Sequence, residues 1–127
     1  MSKHETPMTR RYWDLVRGTL LEEYIIVPSC PGVGRRTVDA VIIKDGDHRI
    51  AYRAENVSLD GHDIVIVQTK ASRLGMYLLG QALFSRELIK DRFAPRSIRT
   101  VALWSFATLA KRPFAEMILD RAITRSR

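Results

Sequence analysis

The chain has few of the residues that cross-link a protein or insert it into a membrane. It contains a single cysteine, Cys30, which excludes a disulfide framework within the chain and a multi-cysteine zinc site. No apolar run approaches the roughly 18–20 residues that a membrane-spanning helix needs. The residues from Met1 to Arg11 also lack the apolar core of a signal peptide. These absences predict a chain without a membrane span, located in a reducing cytoplasm.

Proline and glycine are also scarce: the chain has five prolines and seven glycines, and they form no linker. Internal repeats and low-complexity tracts are absent as well. Domains typically have roughly 100–150 residues, so the 127 residues are predicted to form one domain. The first eight residues are predicted to be a loose leader. The content of 46% hydrophobic and 28% charged residues is that of an ordinary globular chain.

Basic residues outnumber acidic ones. The chain has 21 Lys and Arg against 14 Asp and Glu, which gives a formal net charge of +7. Such an excess favours a polyanionic partner, and nucleic acid is the commonest one. The three histidines lie in the leader or in turns, without the spacing of metal ligands. The partner is therefore predicted to be nucleic acid, and no single arginine is assigned as a contact.

The apolar pattern predicts helices and strands in alternation. A first helix is expected from an N-cap at Thr9 through Glu23, because apolar residues recur there at helical spacing. Those residues are Trp13, Val16, Leu20 and Tyr24. Strands are predicted over 24–27, 37–43, 63–70 and 97–106, and a further short strand around 49–52 is left open. A second helix is predicted over 75–91, and a last helix is predicted to begin at Pro113. A crossover helix between two strong strands indicates a mixed α/β sheet flanked by helices, in the order α-β-β-β-α-β-α.

Polar residues interrupt two of the apolar strands. Asp39 lies among valine, alanine and isoleucine, and Gln68 and Lys70 end the strand DIVIVQTK. Alternate residues of a strand share a face, so Gln68 and Lys70 are expected to point the same way. A buried charge is costly unless it is paired or bound to a metal. Two interpretations are therefore open: a structural ion pair between Asp39 and Lys70, or a functional site.

The chain resembles the PD-(D/E)XK nuclease superfamily, and the residues that carry the resemblance are Asp39 and the run Gln68-Thr69-Lys70. That family has an Asp on the second core strand and an acid-x-Lys pair at the end of the third. The resemblance extends from about Thr9 to Thr124, and it implies a restriction-endonuclease-like fold. Val38 stands where the family has proline, and Gln68 stands where it has an acid. A Gln-x-Lys variant also occurs in the Mrr-type restriction nucleases.

The resemblance implies a divalent-metal-dependent nuclease acting on DNA, with Mg²⁺ or Mn²⁺ as cofactor. Asp39 would be the anionic ligand, with the Gln68 amide oxygen and the Thr69 carbonyl beside it, because Mg²⁺ prefers oxygen ligands. Lys70 would orient the attacking water or hold the phosphate. The cation would offset the negative charge that develops during phosphodiester cleavage.

A site with Asp39 as its only acid is short of negative charge. In the predicted first helix, Glu23 falls on the apolar face and Glu22 outside it. Glu23 is therefore predicted as a further metal ligand, with Glu22 as the fallback. The alternative is that both glutamates only end a helix beside Arg17. If catalysis is lost, the chain would be a nucleic-acid-binding or protein-interaction module, which the missing charge at Gln68 favours.

A homodimer is also predicted. A single site cuts one strand per encounter, so a two-fold dimer is the simplest route to cutting both strands of a duplex. The apolar residues of 101–106 and 114–119 are expected to exceed what one small core needs. Phe114, Met117 and Ile118 lie at helical spacing, and this stripe serves either the core or the interface.

Overall fold

The structure is a computed structural model and describes residues 5–27, 32, 34, 36–51, 57–70, 76–104 and 115–119. Its elements are α1 (Glu5–Val16), β1 (Thr19–Val27), β2 (Arg36–Ile43), β3 (Arg49–Ala51), β4 (Asp63–Lys70), α2 (Met76–Arg92), β5 (Ser97–Trp104) and β6 (Ala115–Ile118). The six strands form one sheet in the order β3-β1-β2-β4-β5-β6. Strands β1, β2 and β4 are antiparallel neighbours, and β4 is parallel to β5 across the α2 crossover. The predicted mixed α/β sheet is thus confirmed.

The two helices cover opposite faces of the sheet. On one face, Met8 and Tyr12 of α1 pack with Val65 and Val67 of β4. On the other, α2 packs Ile89 against alternate residues of the same strand. Because both faces are buried, β4 is apolar without alternation, as is usual for a strand covered by helices on both sides. Among the described residues, no helix is long and apolar enough to cross a membrane.

The first helix ends earlier than predicted. It stops at Val16, and the residues up to Val27 form β1, so the helix predicted through Glu23 is wrong. Arg17 and Gly18 have φ values of +72° and +96°, which a right-handed helix does not contain. A side chain at position 18 would overlap the carbonyl oxygen of Ile43, so only glycine fits. Of the four residues whose spacing indicated one helical face, Trp13 and Val16 lie in α1, whereas Leu20 and Tyr24 lie in β1.

Both ends of the described chain also differ from the prediction. Helix α1 begins at Glu5 and buries Met8, so residues 5–8 are not a loose leader, and Thr9 lies inside the helix rather than at its cap. Residues Ala115–Ile118 form a strand antiparallel to β5, so the last helix is wrong over that range. These residues form a strand because they pair with the outer edge of β5. The local sequence pattern carries no information about that pairing. Pro113 and residues 120–127 lie outside the described residues.

The remaining elements confirm the predictions closely. The predicted helix over 75–91 is α2, the strand over 97–106 is β5 as far as residue 104, and the short strand left open around 49–52 is β3. Strand β3 pairs in parallel with the start of β1. Both flanking strands of the α2 crossover are therefore where the apolar runs placed them.

Candidate active site where strands β2 and β4 part

The ladder between β2 and β4 ends at the polar residues. Cα pairing runs from Ile43 with Ile64 to Ala40 with Val67 and goes no further. Beyond that point, side chains take the place of backbone partners. The residues at this parting are those that the sequence singled out on the two strands.

Asp39 and Gln68 bridge the gap reciprocally. The backbone N–H of Asp39 donates to the Gln68 Oε1 at 3.2 Å. In return, Asp39 Oδ2 accepts from the Thr69 backbone N–H at 2.8 Å and from the Thr69 hydroxyl at 3.1 Å. A buried polar group needs such partners, because leaving it unpaired costs about 1–3 kcal/mol. Asp39 and Gln68 thus hold the strands together where the ladder stops.

Gln68 is anchored at its other end by α2. Its side chain is buried, and Nε2 donates to the Ser85 hydroxyl at 3.3 Å. The oxygen accepts and the nitrogen donates, so the amide is held in one orientation. Ser85 was not predicted. Its signal is its position among the buried residues Leu78, Ala82 and Ile89 of the helix, where a lone hydroxyl needs a polar partner on the sheet.

Lys70 lies at the end of β4 with its side chain exposed. It makes no hydrogen bond or ion pair with any residue that the structure describes. Asp39 is held by Thr69, so a structural ion pair between Asp39 and Lys70 is not what keeps the carboxylate in place. Lys70 therefore adds an exposed ammonium at the same end of the strand.

Glu23 lies opposite Asp39, although not on a helix. The β1–β2 register passes from Glu22 with Ala40 to Tyr24 with Val38, so Glu23 and Asp39 occupy the facing positions between these pairs. Glu23 has a φ of +49°, which is uncommon for a residue other than glycine. The helical wheel that selected Glu23 was wrong, but strand pairing brings this residue to Asp39.

Both strands change face at these two acids. In β1, Leu21 and Tyr24 contribute to the same cluster on the α2 side although they are three residues apart. In β2, Val38 and Val41 do the same. In a regular strand, two side chains share a face only when they are an even number of residues apart. Each of these pairs is three residues apart, so each strand has one break in its alternation. The two breaks match, and the register between the strands continues across them.

Glu22, the fallback acid, has another partner. Its carboxylate accepts from Arg10 of α1, with Nη2 at 2.9 Å from Oε1 and Nε at 3.1 Å from Oε2. This bidentate pair raises the pKa of the Arg10 guanidinium. Glu22 is therefore committed to joining α1 to β1, which leaves Glu23 as the acid next to Asp39. Arg10 was not predicted to have this role.

The set offers oxygen ligands and few charges. In the described part of the chain, no three His, Cys, Asp or Glu residues are placed so that together they could hold a metal ion. The candidate ligands are the carboxylates of Glu23 and Asp39, the amide oxygen of Gln68 and the carbonyl of Thr69. The Gln68 oxygen keeps a second lone pair after accepting from Asp39. Such a donor set suits a hard cation that retains several waters, as Mg²⁺ does.

The opposite end of β4 is held by a separate polar cluster. Asp63 accepts from the Arg96 guanidinium and from the Ser97 hydroxyl, and these contacts hold the pKa of its carboxyl well below its usual range. Asp45 accepts from the Asp63 backbone N–H and lies 3.0 Å from His62 Nδ1, which lowers its pKa too. This cluster ties the turns at that end of the sheet and is remote from Lys70 along the strand.

The candidate site thus combines facing acids on β1 and β2 with Gln68, Thr69 and Lys70 at the end of β4. Its acids lie at matched breaks in two strands, and its amide is fixed by Ser85. Comparison of the chain with protein-family models, with curated proteins and with solved structures finds no match.

Proposed function

We propose that this protein is a divalent-metal-dependent phosphodiester hydrolase that acts on nucleic acid, most simply DNA. The observation that carries the proposal is the facing pair Glu23 and Asp39 beside the run Gln68-Thr69-Lys70. The left-handed backbone at Glu23 adds to it, because strained residues persist mainly where function requires them. Without a bound cation, two carboxylates at one irregular point of a sheet would repel each other.

The order of elements supports a restriction-endonuclease-like fold. The elements α1, β1, β2, β4, α2 and β5 follow the order of helix, three-strand meander, helix and strand that the resemblance implies, with β3 and β6 added at the two edges. The resemblance also implies a last helix, but residues Ala115–Ile118 form strand β6 instead. Lys70 ends β4 beside the end of its parallel neighbour β5. In open α/β sheets, ligands bind outside the carboxyl ends of parallel strands. The candidate residues lie at that edge.

The chain's residues suit this chemistry. Glu23 and Asp39 would hold the cation, and Gln68 and Thr69 would offer neutral oxygens. A bound Mg²⁺ would activate water and offset charge on the phosphate. Lys70, exposed at the strand end, would contact a non-bridging phosphate oxygen or the attacking water. The net charge of +7 favours binding of a polyanion, and the lone cysteine supports a reducing cytoplasm as the proposed location.

A second candidate is a nucleic-acid-binding or protein-interaction module without catalysis. The specific observation in its favour is that Asp39 Oδ2 already accepts two hydrogen bonds from Thr69, and that Gln68 Oε1 accepts one from Asp39. In this interpretation Asp39 and Gln68 only join β2 to β4. The two candidates differ in whether a divalent cation binds.

The deciding experiment measures DNA cleavage and cation binding on matched variants. Supercoiled, linear and branched DNA are incubated with the protein in Mg²⁺, Mn²⁺ or EDTA, and Mn²⁺ binding is titrated by calorimetry. Asp39→Asn keeps an oxygen that accepts from Thr69 but removes the charge, so we expect cleavage to fall by roughly 100-fold or more while the fold is retained. Glu22→Gln, at a neighbouring acid, is the control and should keep cleavage.

Two results would contradict the hydrolase. One is cleavage that persists in EDTA or in Asp39→Asn, which would indicate a contaminant. The other is a wild-type protein that binds no Mn²⁺ even with DNA present. DNA binding without Mn²⁺ binding would support the non-catalytic module.

A further inference from the structure

The two carboxylate oxygens of Asp39 differ in what they can bind. Oδ2 accepts two hydrogen bonds from one residue, at 2.8 Å from the Thr69 backbone nitrogen and at 3.1 Å from the Thr69 hydroxyl. Each carboxylate oxygen has about two lone-pair sites, so these two bonds occupy both sites of Oδ2. A cation at this carboxylate would therefore bind through Oδ1.

Thr69 is itself held in a fixed position. It is buried, and it pairs with Leu103 of β5, so its backbone N–H keeps the direction that the strand gives it. The side chain is β-branched and has little freedom about χ1. A buried hydroxyl also keeps its partner, because losing a hydrogen bond in a buried place is costly. Both donors of Thr69 thus remain directed at Oδ2 of Asp39.

We propose that Thr69 makes the candidate site selective for a small octahedral cation, Mg²⁺ or Mn²⁺, against Ca²⁺. Ca²⁺ takes about six to eight oxygen ligands and can bind a carboxylate through both oxygens, whereas Mg²⁺ keeps several waters and needs few protein ligands. A carboxylate that offers only Oδ1 suits the smaller cation. This inference rests on the proposed function, because it concerns the cation of that site.

The neighbouring amide is also fixed. Gln68 Oε1 accepts from the Asp39 backbone N–H, and Gln68 Nε2 donates to the hydroxyl of the buried Ser85. The amide therefore offers one oxygen in one direction. Selectivity between Mg²⁺ and Ca²⁺ depends on the number of ligands and on the flexibility of the site. A fixed amide beside a carboxylate limited to one oxygen lowers both, and this combination disfavours Ca²⁺.

A valine at position 69 separates the hydroxyl from the rest of the strand. Thr69→Val keeps the β-branched shape and the backbone N–H, but it removes one of the two donors to Oδ2. One lone-pair site of Oδ2 then becomes accessible, so Asp39 can bind a cation through both oxygens. We expect the preference for Mn²⁺ over Ca²⁺ to fall by about tenfold, because partners of ligating groups typically change metal affinity by about 10–100-fold. Thr69→Ser keeps the hydroxyl and should keep the preference.

Calorimetric titrations of the protein with Mn²⁺ and with Ca²⁺, without DNA, measure the preference as a ratio of dissociation constants. The matched control is Thr100→Val, since Thr100 is a buried threonine of β5 that pairs with Ile66, away from Asp39. This control should keep the wild-type ratio. The urea midpoint in EDTA shows whether each variant folds. If Thr69→Val does not fold, Thr69→Ala removes the same hydroxyl and should shift the ratio in the same direction.

Three results would overturn the selectivity. The wild type could bind Ca²⁺ as tightly as Mn²⁺, or a folded Thr69 variant without the hydroxyl could keep the wild-type ratio. Either result leaves the proposed hydrolase standing, because that proposal requires only that Mn²⁺ binds and supports cleavage. The third result is a wild type that binds neither cation in the absence of DNA. The cleavage assay and the Mn²⁺ titration with DNA present then decide the hydrolase separately.

Discussion

At the scale of single residues, Gln68 holds the candidate site together. Its amide joins the Asp39 backbone to Ser85. We expect Gln68→Ala to lower the free energy of unfolding by about 1–3 kcal/mol, because it leaves two polar groups unpaired in a buried place. Urea unfolding measures this loss. The control is Gln81→Ala on the exposed side of α2, which should change stability by less than about 0.5 kcal/mol. Equal losses would mean that the buried bridge contributes nothing.

Glu23 is the residue where function and stability are expected to conflict. Its φ of +49° is costly for a side chain with a Cβ and is easy for glycine. Glu23→Gly should therefore raise the free energy of unfolding by up to about 1 kcal/mol and abolish Mn²⁺ binding. Glu22→Gly, in the same strand, should instead be destabilising, because it removes the Arg10 pair. If both variants lose stability alike, the left-handed backbone is not strained.

At the scale of elements, the turn from α1 to β1 depends on one contact. Gly18 lies against the backbone of Ile43 at a φ of +96°, so both the space and the conformation exclude a side chain. We expect Gly18→Ala to cost more than the 1–2 kcal/mol of a left-handed residue alone. Gly61→Ala separates the two effects, since Gly61 has a φ of +76° but nothing within 4 Å of a Cβ. In thermal unfolding, Gly18→Ala should have a lower melting temperature than Gly61→Ala.

At the scale of the whole molecule, acid should loosen the end of the sheet that carries Asp45 and Asp63. The pKa of each carboxyl is lowered in the folded state, by His62 and Arg96 respectively. A lowered folded pKa contributes stability above the unfolded value near pH 4, and that stability is lost as the pH falls below it. Urea midpoints should therefore decrease below about pH 4. Asp63→Asn should flatten this decrease and Asp47→Asn should not. An unchanged slope in Asp63→Asn would contradict this account.

Local pattern determined much of the architecture. Strands β2, β4 and β5 and helix α2 lie within one or two residues of their predicted bounds, because continuous apolar β-branched runs and their breaks are visible in a short window. The crossover between β4 and β5 likewise follows from the length of chain that separates two strong strands. Asp39, Gln68 and Lys70 stood out because a polar residue in such a run needs an explanation.

Tertiary contacts decided the rest. Helix α1 ends at Val16, where Arg17 and Gly18 take positive φ values and Gly18 lies against the backbone of Ile43. Residues Ala115–Ile118 form a strand because they pair with the edge of β5. Glu23 faces Asp39 through the register of β1 and β2, not through a helical face. Each of these outcomes depends on residues far apart in the chain. A periodicity read over a few turns holds no information about such contacts, so only the folded sheet could bring these residues together.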